Sequence, residues 1–270
     1  MSIDRVRSHF GLSRAPFSKE LAPSMLFNST THAQAVARIN YLVAERGLGL
    51  VTGEVGSGKT VAARAALSLL DSSRHSVIYL ANPAVGTRGM YGAIVSGLGG
   101  VPRFHKAALI PQAAAALAAE EAEWGRKVIV VLDEAHLLEE GLEELRLLMA
   151  SEMDSRAAFC CLLLGQPTLR RRVRLGTLAA LNQRITLRYH LEGMDQAETA
   201  AYIAHHLKLC GRVDPVFSED ATALIHQVAR GLPRAVNNLA TQALVAACAS
   251  SKSIVDESSA RAAVAELDAE

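Results

Sequence analysis

The sequence predicts an α/β domain built on a five-stranded parallel sheet and followed by a small all-helical domain. Up to about residue 192, short β-rich apolar runs alternate with longer Ala- and Leu-rich stretches, which is the pattern of βαβ units. Beyond that point only helical patterns occur. The length of 270 residues exceeds the roughly 150 expected of one domain. We therefore expect an α/β domain with an N-terminal segment at residues 1–192 and a helical domain at 193–270.

Five apolar runs are the expected strands. They are short and strongly hydrophobic, as strands covered on both faces of a parallel sheet are. The expected strands are Leu48–Thr52, Val77–Ala81, Val128–Asp133, Phe159–Leu164 and Ile185–His190. The Ala-rich segment Ala107–Glu123 is too long for a strand and predicts a single helix.

Four helices are expected beyond Gly193. The first covers Asp195–Leu209. The second covers Ser218–Arg230, where a serine N-cap and acids in the first turn favour a helix start. The third follows Pro233, which suits a first helical turn, and the fourth begins near Asp256.

Composition excludes several classes of function. Half of the residues are hydrophobic and a fifth are charged, which excludes an extensively disordered chain. The net charge of +1 predicts no global attraction for nucleic acid or an anionic membrane, so any anion must bind locally. One Trp, five Tyr and six Phe are too few for a platform that stacks single-stranded bases.

The first residues and the cysteines indicate a reducing compartment. The start of the chain lacks the apolar core of a secretory signal, and no apolar run approaches the roughly 18 residues that span a bilayer. We expect a cytoplasmic protein without a membrane anchor. Four cysteines without CxxC spacing lie in apolar stretches, which predicts buried reduced thiols; they are Cys160, Cys161, Cys210 and Cys248.

A glycine-rich segment carries the strongest functional signal. Gly53-Glu54-Val55-Gly56-Ser57-Gly58-Lys59-Thr60 matches GxxxxGK[ST], with an apolar strand before it and a helix, opened by Val61, after it. Such a loop turns its N–H groups and the helix N-terminus toward phosphates, Lys59 reaches the β- and γ-phosphates, and the Thr60 hydroxyl meets Mg²⁺. An incidental glycine turn is the disfavoured alternative. We expect this segment and Val61 to bind ATP.

Two adjacent acids add hydrolysis to this prediction. Asp133 and Glu134 follow the apolar run Val128–Leu132, at the edge of an α/β sheet where ligands bind. Asp133 is expected to hold Mg²⁺ through water, and Glu134 is expected to polarise the attacking water. For the acids alone, a solvated turn is the alternative. Asp-Glu-Ala-His also spells a helicase box, but a helicase needs a second motor domain, so we assign no role to His136.

With both motifs in place, nearly the whole chain resembles an AAA+ ATPase of the Orc/Cdc6-like branch. That branch includes the ExeA-type secretion ATPases and the ATPase helpers of DNA transposition, which are Mu B-like or TniB-like. Phe10-Gly11-Leu12 through Pro16-Phe17 is similar to the ExeA-type N-terminal segment, and residues 32–41 lie where such proteins contact adenine. The resemblance implies a P-loop domain with a C-terminal helical lid, ATP and Mg²⁺ as ligands, and a homo-oligomer when ATP is bound.

The resemblance also implies roles for three polar residues. Gln166 follows the fourth strand, where the family has a sensor-1 residue, usually Asn, Ser or Thr; a turn-capping Gln is the alternative. Arg184 precedes the fifth strand, at the position of an arginine finger that reaches a neighbouring subunit; an ion pair within its own domain is the alternative. Gly231-Leu232-Pro233-Arg234 resembles the sensor-2 motif, with Arg234 in the first turn of a helix.

Two classes of partner remain open. One is double-stranded DNA, on which the protein would assemble to regulate a transposase. Basic residues for this are Arg88 in the Gly-rich loop Gly86–Gly92 and the cluster Arg170, Arg171, Arg172 and Arg174, for which a solvated helix face is the alternative. The other partner is a protein or the cell wall, as for ExeA-type secretion or envelope-assembly ATPases. Those proteins typically continue into a transmembrane helix and a peptidoglycan-binding region, so the end at Glu270 favours the DNA role unless the sequence is an excised domain. A nucleotide-dependent scaffold or signalling ATPase without DNA affinity is a third possibility.

Overall fold

The computed structural model describes residues 2–18, 21–138, 141–150 and 157–268. Within these ranges, five strands pair in parallel in one sheet: β1 (Leu48–Gly53), β2 (His75–Leu80), β3 (Lys127–Leu132), β4 (Cys160–Gly165) and β5 (Ile185–Leu191). The order across the sheet is β2-β3-β4-β1-β5. The predicted five-stranded parallel sheet is confirmed. Asp133, which the sequence placed in a strand, instead follows the end of β3 directly.

Twelve helices of at least six residues lie in the described ranges. In chain order they are α1 (Ile3–Phe10), α2 (Thr30–Glu45), α3 (Lys59–Leu67), α4 (Gly86–Gly97), α5 (Lys106–Trp124), α6 (Gly141–Met149), α7 (Pro167–Arg172), α8 (Ala179–Arg184), α9 (Gln196–Leu209), α10 (Glu219–Ala229), α11 (Pro233–Ala249) and α12 (Glu257–Asp268). No helix in this part of the chain is both long enough and apolar enough to cross a membrane. All four cysteines are free and buried, as the sequence predicts.

Burial accounts for the hydrophobic sequences of the central strands. Every residue of β1 and β4 is buried, and so is β3 after Lys127. Alternate residues of β3 belong to different apolar clusters. Val130 packs in a cluster with Met90 of α4, whereas Val131 packs in another with Ile39 of α2. Both faces of the sheet are therefore covered by helices. Because all strands are parallel, the loops that follow them lie at one end of the sheet.

The prediction of a Gly-rich loop at Gly86–Gly92 is wrong, because these residues form the first half of α4. Glycine is a poor helix former, and that bias favours a loop when the sequence is considered alone. In the structure, Met90, Tyr91, Ile94 and Val95 are all buried in the main apolar cluster. Burial of these four side chains outweighs the low helix propensity of the glycines.

The chain divides into two compact units. One consists of Gln34–Val55 and Lys59–Leu191, and the other of the described parts of Met1–Ala33, Gly56–Gly58 and Glu192–Glu270. The second unit is helical and has its own core. The N-terminal segment, which the sequence grouped with the α/β domain, belongs to this helical unit. Val6, Phe10 and Phe17 share its buried cluster with residues of α9–α12.

Local signals set the starts of the C-terminal helices. Asp195 caps α9 in a reciprocal capping box with Glu198, and the Ser218 side chain accepts from the N–H of Ala221 at the start of α10. Pro233 is the first residue of α11. The four helices begin within one residue of the predicted positions.

Candidate nucleotide-binding site

The glycine-rich loop joins the end of β1 to the start of α3. Gly56 has φ +81° and Gly58 has φ +97°, in the left-handed region that favours glycine. A Cβ on Gly56 would also lie 2.6 Å from the Cβ of Arg234. The loop therefore needs glycine at both positions to follow this path.

The polar groups of the loop are arranged to receive an anion. Lys59 is buried, and its Nζ donates to the carbonyls of Gly53 and Glu54 at 2.9 Å each. The Ser57 hydroxyl is buried without a hydrogen-bond partner among the described residues. A buried hydroxyl without a partner costs free energy that a bound phosphate oxygen would recover. The residues present fit a phosphate chain.

Other predicted loop residues surround these groups. Glu54 and Val55 are exposed, and Val61 is half-buried in the first turn of α3.

The Asp133 carboxylate lies at the centre of a hydrogen-bond network. Its Oδ2 accepts from the Thr60 hydroxyl at 2.6 Å and from the Tyr79 hydroxyl at 2.8 Å, and its Oδ1 accepts from the N–H of Glu134 at 2.9 Å. Burial, followed by the hydrogen bond to Asp133, raises the pKa of Tyr79 above its ordinary value, so the phenol stays a donor. Hydroxyl and carboxylate oxygens are the ligands that Mg²⁺ prefers, so Thr60 and Asp133 fit a magnesium ion.

Glu134 has an unusual backbone conformation. Its φ of +51° lies in the left-handed region, which is uncommon for a residue other than glycine. The Oε2 of Glu134 lies 3.3 Å from the Nδ1 of His136. The structure thus places the second acid of the motif beside the first and gives His136, to which the sequence assigned no role, a contact with it.

Gln166 directly follows β4, which lies between β3 and β1 in the sheet. Gln166 therefore lies at the carboxyl end of the sheet, between the end of β3, which the acid pair follows, and the end of β1, which the glycine loop follows. Gln166 occupies the N-cap position of α7, but its side chain makes no capping hydrogen bond. The capping alternative has no support in the structure.

Sequence comparison relates this arrangement to known proteins. An AAA domain model matches residues 43–173, which include the glycine loop and the acid pair. General secretion pathway protein A of Aeromonas hydrophila is 36% identical over 252 residues. That alignment covers 89% of this chain and 44% of the relative, so the chain spans less than half of the length of the protein it matches.

Residues 43–173 of this chain match an AAA domain, and the chain has the AAA+ fold.

Solved structures agree with this AAA+ fold. Cdc6p from Pyrobaculum aerophilum superimposes with a TM-score of 0.68 at 17% identity, covering 88% of this chain and 67% of that one. The ORC1 protein of Aeropyrum pernix in complex with DNA superimposes with a TM-score of 0.65 at 15% identity, covering 90% of this chain and 67% of that one. At such low identities, the likeness concerns the fold alone.

Arg184 lies at the amino end of the strands, whereas the glycine loop lies at their carboxyl end. It is the last residue of α8, and the next residue, Ile185, pairs with Leu48 at the start of β1. The loop leaves the other end of β1. At about 3.3 Å per residue, the six residues of β1 put roughly 20 Å between the two ends. Arg184 is exposed, and no ion pair among the described residues includes it.

Arg234 belongs to the same unit as Gly56, and the N–H of Arg234 donates to the Gly56 carbonyl at 3.3 Å. The turn before it is tightly built. Gly231 has φ +66°, its carbonyl accepts from the N–H of Met194, and a Cβ on Gly231 would overlap the Met194 backbone. The conformation of Gly231 thus fixes the chain path that leads into α11 and places Arg234 in its first turn.

Two side chains near the acid pair were missed by the sequence analysis as contributors to the site. Tyr79 lies on β2 and His136 lies three residues beyond Asp133. The signal for Tyr79 was its place near the carboxyl end of a predicted strand. The signal for His136 was the Asp-Glu-Ala-His spelling.

Proposed function

We propose that this chain binds ATP with Mg²⁺ and hydrolyses its terminal phosphate. The observation that carries the proposal is the 2.6 Å contact between the Thr60 hydroxyl and the Asp133 carboxylate, beside a loop whose buried Ser57 hydroxyl lacks a described partner. Loop N–H groups and Lys59 hold the phosphates. Thr60 and Asp133 hold Mg²⁺, which when bound neutralises phosphate charge.

The remaining predicted residues act on the attacking water and the developing charge. Glu134 orients the water for in-line attack, and Gln166 assists as sensor 1. Arg234 adds a cation toward the terminal phosphate as sensor 2. Most of the catalysis then comes from positioning and charge neutralisation.

We further propose that hydrolysis requires a homo-oligomer. Arg184 lies roughly 20 Å from its own loop, beyond the reach of an arginine side chain. It is exposed at the edge of the unit, as a residue that serves a neighbouring copy must be. An arginine supplied by another subunit contributes on the order of 10³-fold or more in rate. Isolated monomers are therefore expected to turn over slowly.

The proposed target of the ATP cycle is a protein or cell-wall component of a secretion or envelope-assembly system. The support is the 36% identity to a general secretion pathway protein, over most of this chain. Because the chain spans 44% of that relative, the target is assigned by class only.

A cluster of arginines favours double-stranded DNA, together with a transposase, as a second candidate partner. Arg170, Arg174 and Arg188 are exposed, and none takes part in an ion pair within the described ranges. Burial, then the charges of Arg174 and Arg170, lower the pKa of Arg188, so the three guanidinium groups influence one another. Uncompensated cations at close range favour a polyanion such as the DNA backbone.

Turnover of ATP by the purified chain tests the function. We expect Mg²⁺-dependent hydrolysis that Lys59→Ala and Glu134→Gln both abolish. Lys59→Ala should weaken nucleotide affinity on the order of 100-fold, because a charge-assisted contact to phosphate is lost, whereas Glu134→Gln should keep wild-type affinity. Lys208→Ala, an exposed lysine of α9, is the control and should change neither quantity. Equal affinity in Lys59→Ala and wild type would refute the proposed site.

The same assay separates the two partners. Turnover is measured with and without duplex DNA, at low and physiological salt. Stimulation by DNA that weakens steeply with salt selects the DNA role, since phosphate contacts release counterions. Turnover that is indifferent to DNA at both salt concentrations leaves the secretion class of target.

A further inference from the structure

Tyr79 connects the edge strand β2 to the predicted magnesium site. In the parallel register, Tyr79 pairs with Val131 and Leu80 with Leu132, so Tyr79 lies level with the residue two positions before Asp133. Its hydroxyl donates to the Oδ2 of Asp133 at 2.8 Å. Tyr79 is 49% exposed, so core packing alone does not account for an aromatic residue here.

The Asp133 carboxylate accepts three hydrogen bonds, and only one of the three donors is also an expected metal ligand. The N–H of Glu134 holds Oδ1, while the hydroxyls of Thr60 and Tyr79 both hold Oδ2. The Thr60 hydroxyl is itself an expected metal ligand, and it can still donate its proton to Oδ2 when an oxygen lone pair binds Mg²⁺. Tyr79 is the side-chain donor to Oδ2 that is not itself an expected ligand, so it can hold the carboxylate whether or not the metal is bound.

We propose that Tyr79 is a positioning residue for magnesium, which holds the Asp133 carboxylate in the orientation that serves the metal beside Thr60. The inference rests on the proposed nucleotide site and adds a residue that the motifs do not contain. Hydrogen-bond partners of metal-binding carboxylates typically contribute 10- to 100-fold to metal affinity or activity. Tyr79 therefore acts on the metal dependence of nucleotide binding and leaves the phosphate contacts of the loop unchanged.

A matched pair of tyrosines provides the test. Tyr79→Phe removes the hydroxyl that donates to Asp133. Tyr91→Phe removes a hydroxyl that donates to the Glu144 carboxylate, also at 2.8 Å, from α4 to α6. Both variants lose one phenol–carboxylate hydrogen bond, but only the first touches the proposed site. The probe is a fluorescent ADP analogue, titrated with protein in EDTA and at increasing Mg²⁺.

In EDTA, Tyr79→Phe should bind the analogue with wild-type affinity. With Mg²⁺, the concentration needed for half of the metal-dependent gain in affinity should rise on the order of 10-fold, and the half-point for ATP turnover should rise with it. Tyr91→Phe should keep the wild-type half-points. A purely structural role for Tyr79 would instead weaken binding equally with and without metal.

Four results would contradict either the role of Tyr79 or the nucleotide site. An unchanged Mg²⁺ half-point in Tyr79→Phe refutes the role of Tyr79, and so does a loss of affinity that is the same in EDTA. An equal shift in Tyr91→Phe refutes it as well. If the wild-type chain does not bind the analogue at all, the nucleotide site itself is refuted. The wild-type titration shows this before any variant is measured.

Discussion

His206 is a buried histidine whose surroundings favour its neutral form. It lies on α9 with 4% of its surface exposed, its ring stacks on Phe17 at 5.2 Å between centroids, and Tyr202 packs at 4.4 Å. Burial, then the charges of His205 and Arg14, lower the pKa of His206 to about 4. The folded helical unit therefore resists protonation that the unfolded chain accepts near pH 6.5.

This difference predicts acid sensitivity of the helical unit. Between pH 6.5 and 4 the unfolded chain binds more protons at this position than the folded chain does. The contribution of neutral His206 to the free energy of unfolding is complete above pH 6.5. It is lost as the pH falls toward 4, which lowers that free energy by up to about 3 kcal/mol. Urea unfolding at pH 7, 5.5 and 4.5, followed by circular dichroism, measures it.

His206→Phe keeps an aromatic ring in the cluster and should flatten this pH dependence. His105→Phe replaces an exposed histidine of the other unit and should leave it as in wild type. The same slope in His206→Phe and wild type would show that another group causes the acid sensitivity.

Single residues of the site were predictable where a motif fixes their spacing. The loop from Gly53 to Thr60 is continuous in sequence, and Asp133 follows an unmistakable buried strand. Tyr79 was not predictable in the same way, because its contact with Asp133 depends on the register between β2 and β3. Sequence alone does not show which residues of neighbouring strands lie level with one another.

At the scale of elements, strands were predicted within two residues because continuous apolar runs mark strands buried on both faces. The segment Gly86–Gly97 was mispredicted at its start for the opposite reason. Its glycines signal a loop locally, while the side chains that make it a helix find their partners across the core. Local propensity is a weak guide wherever burial decides the conformation.

The glycines of α4 lead to a stability prediction. Gly92 lies in the helix interior, and a Cβ there would meet only Pro102 within 4 Å, at 3.9 Å. Gly92→Ala should stabilise the protein by about 0.5–1 kcal/mol, because alanine loses less backbone entropy on folding. Gly89→Ala is the control, since its Cβ would overlap Val85 and cancel the gain. Urea midpoints compare the two. A destabilised Gly92→Ala would mean that α4 needs flexibility there.

At the scale of the whole molecule, the sheet places the proposed nucleotide site and the proposed arginine finger at opposite ends of its strands. The glycine loop and the acid pair follow the carboxyl ends of β1 and β3, whereas Arg184 precedes the amino end of β5. A parallel sheet makes this separation unavoidable, because all strands run the same way. In the proposed assignment, one copy thus has a nucleotide site without an arginine finger within reach, and Arg184 has no site of its own copy within reach.

Mixing two inactive variants tests this consequence. Arg184→Ala keeps an intact site, and Glu134→Gln keeps an intact finger, so each alone should show little ATP turnover. Mixed in equal amounts with ATP and Mg²⁺, they should regain turnover, because Arg184 of the second variant completes the site of the first. The control mixture pairs Arg184→Ala with the double variant Arg184→Ala/Glu134→Gln, which supplies no finger, and should stay inactive. Wild-type turnover by Arg184→Ala alone, or no recovery in the first mixture, would contradict a finger supplied between copies.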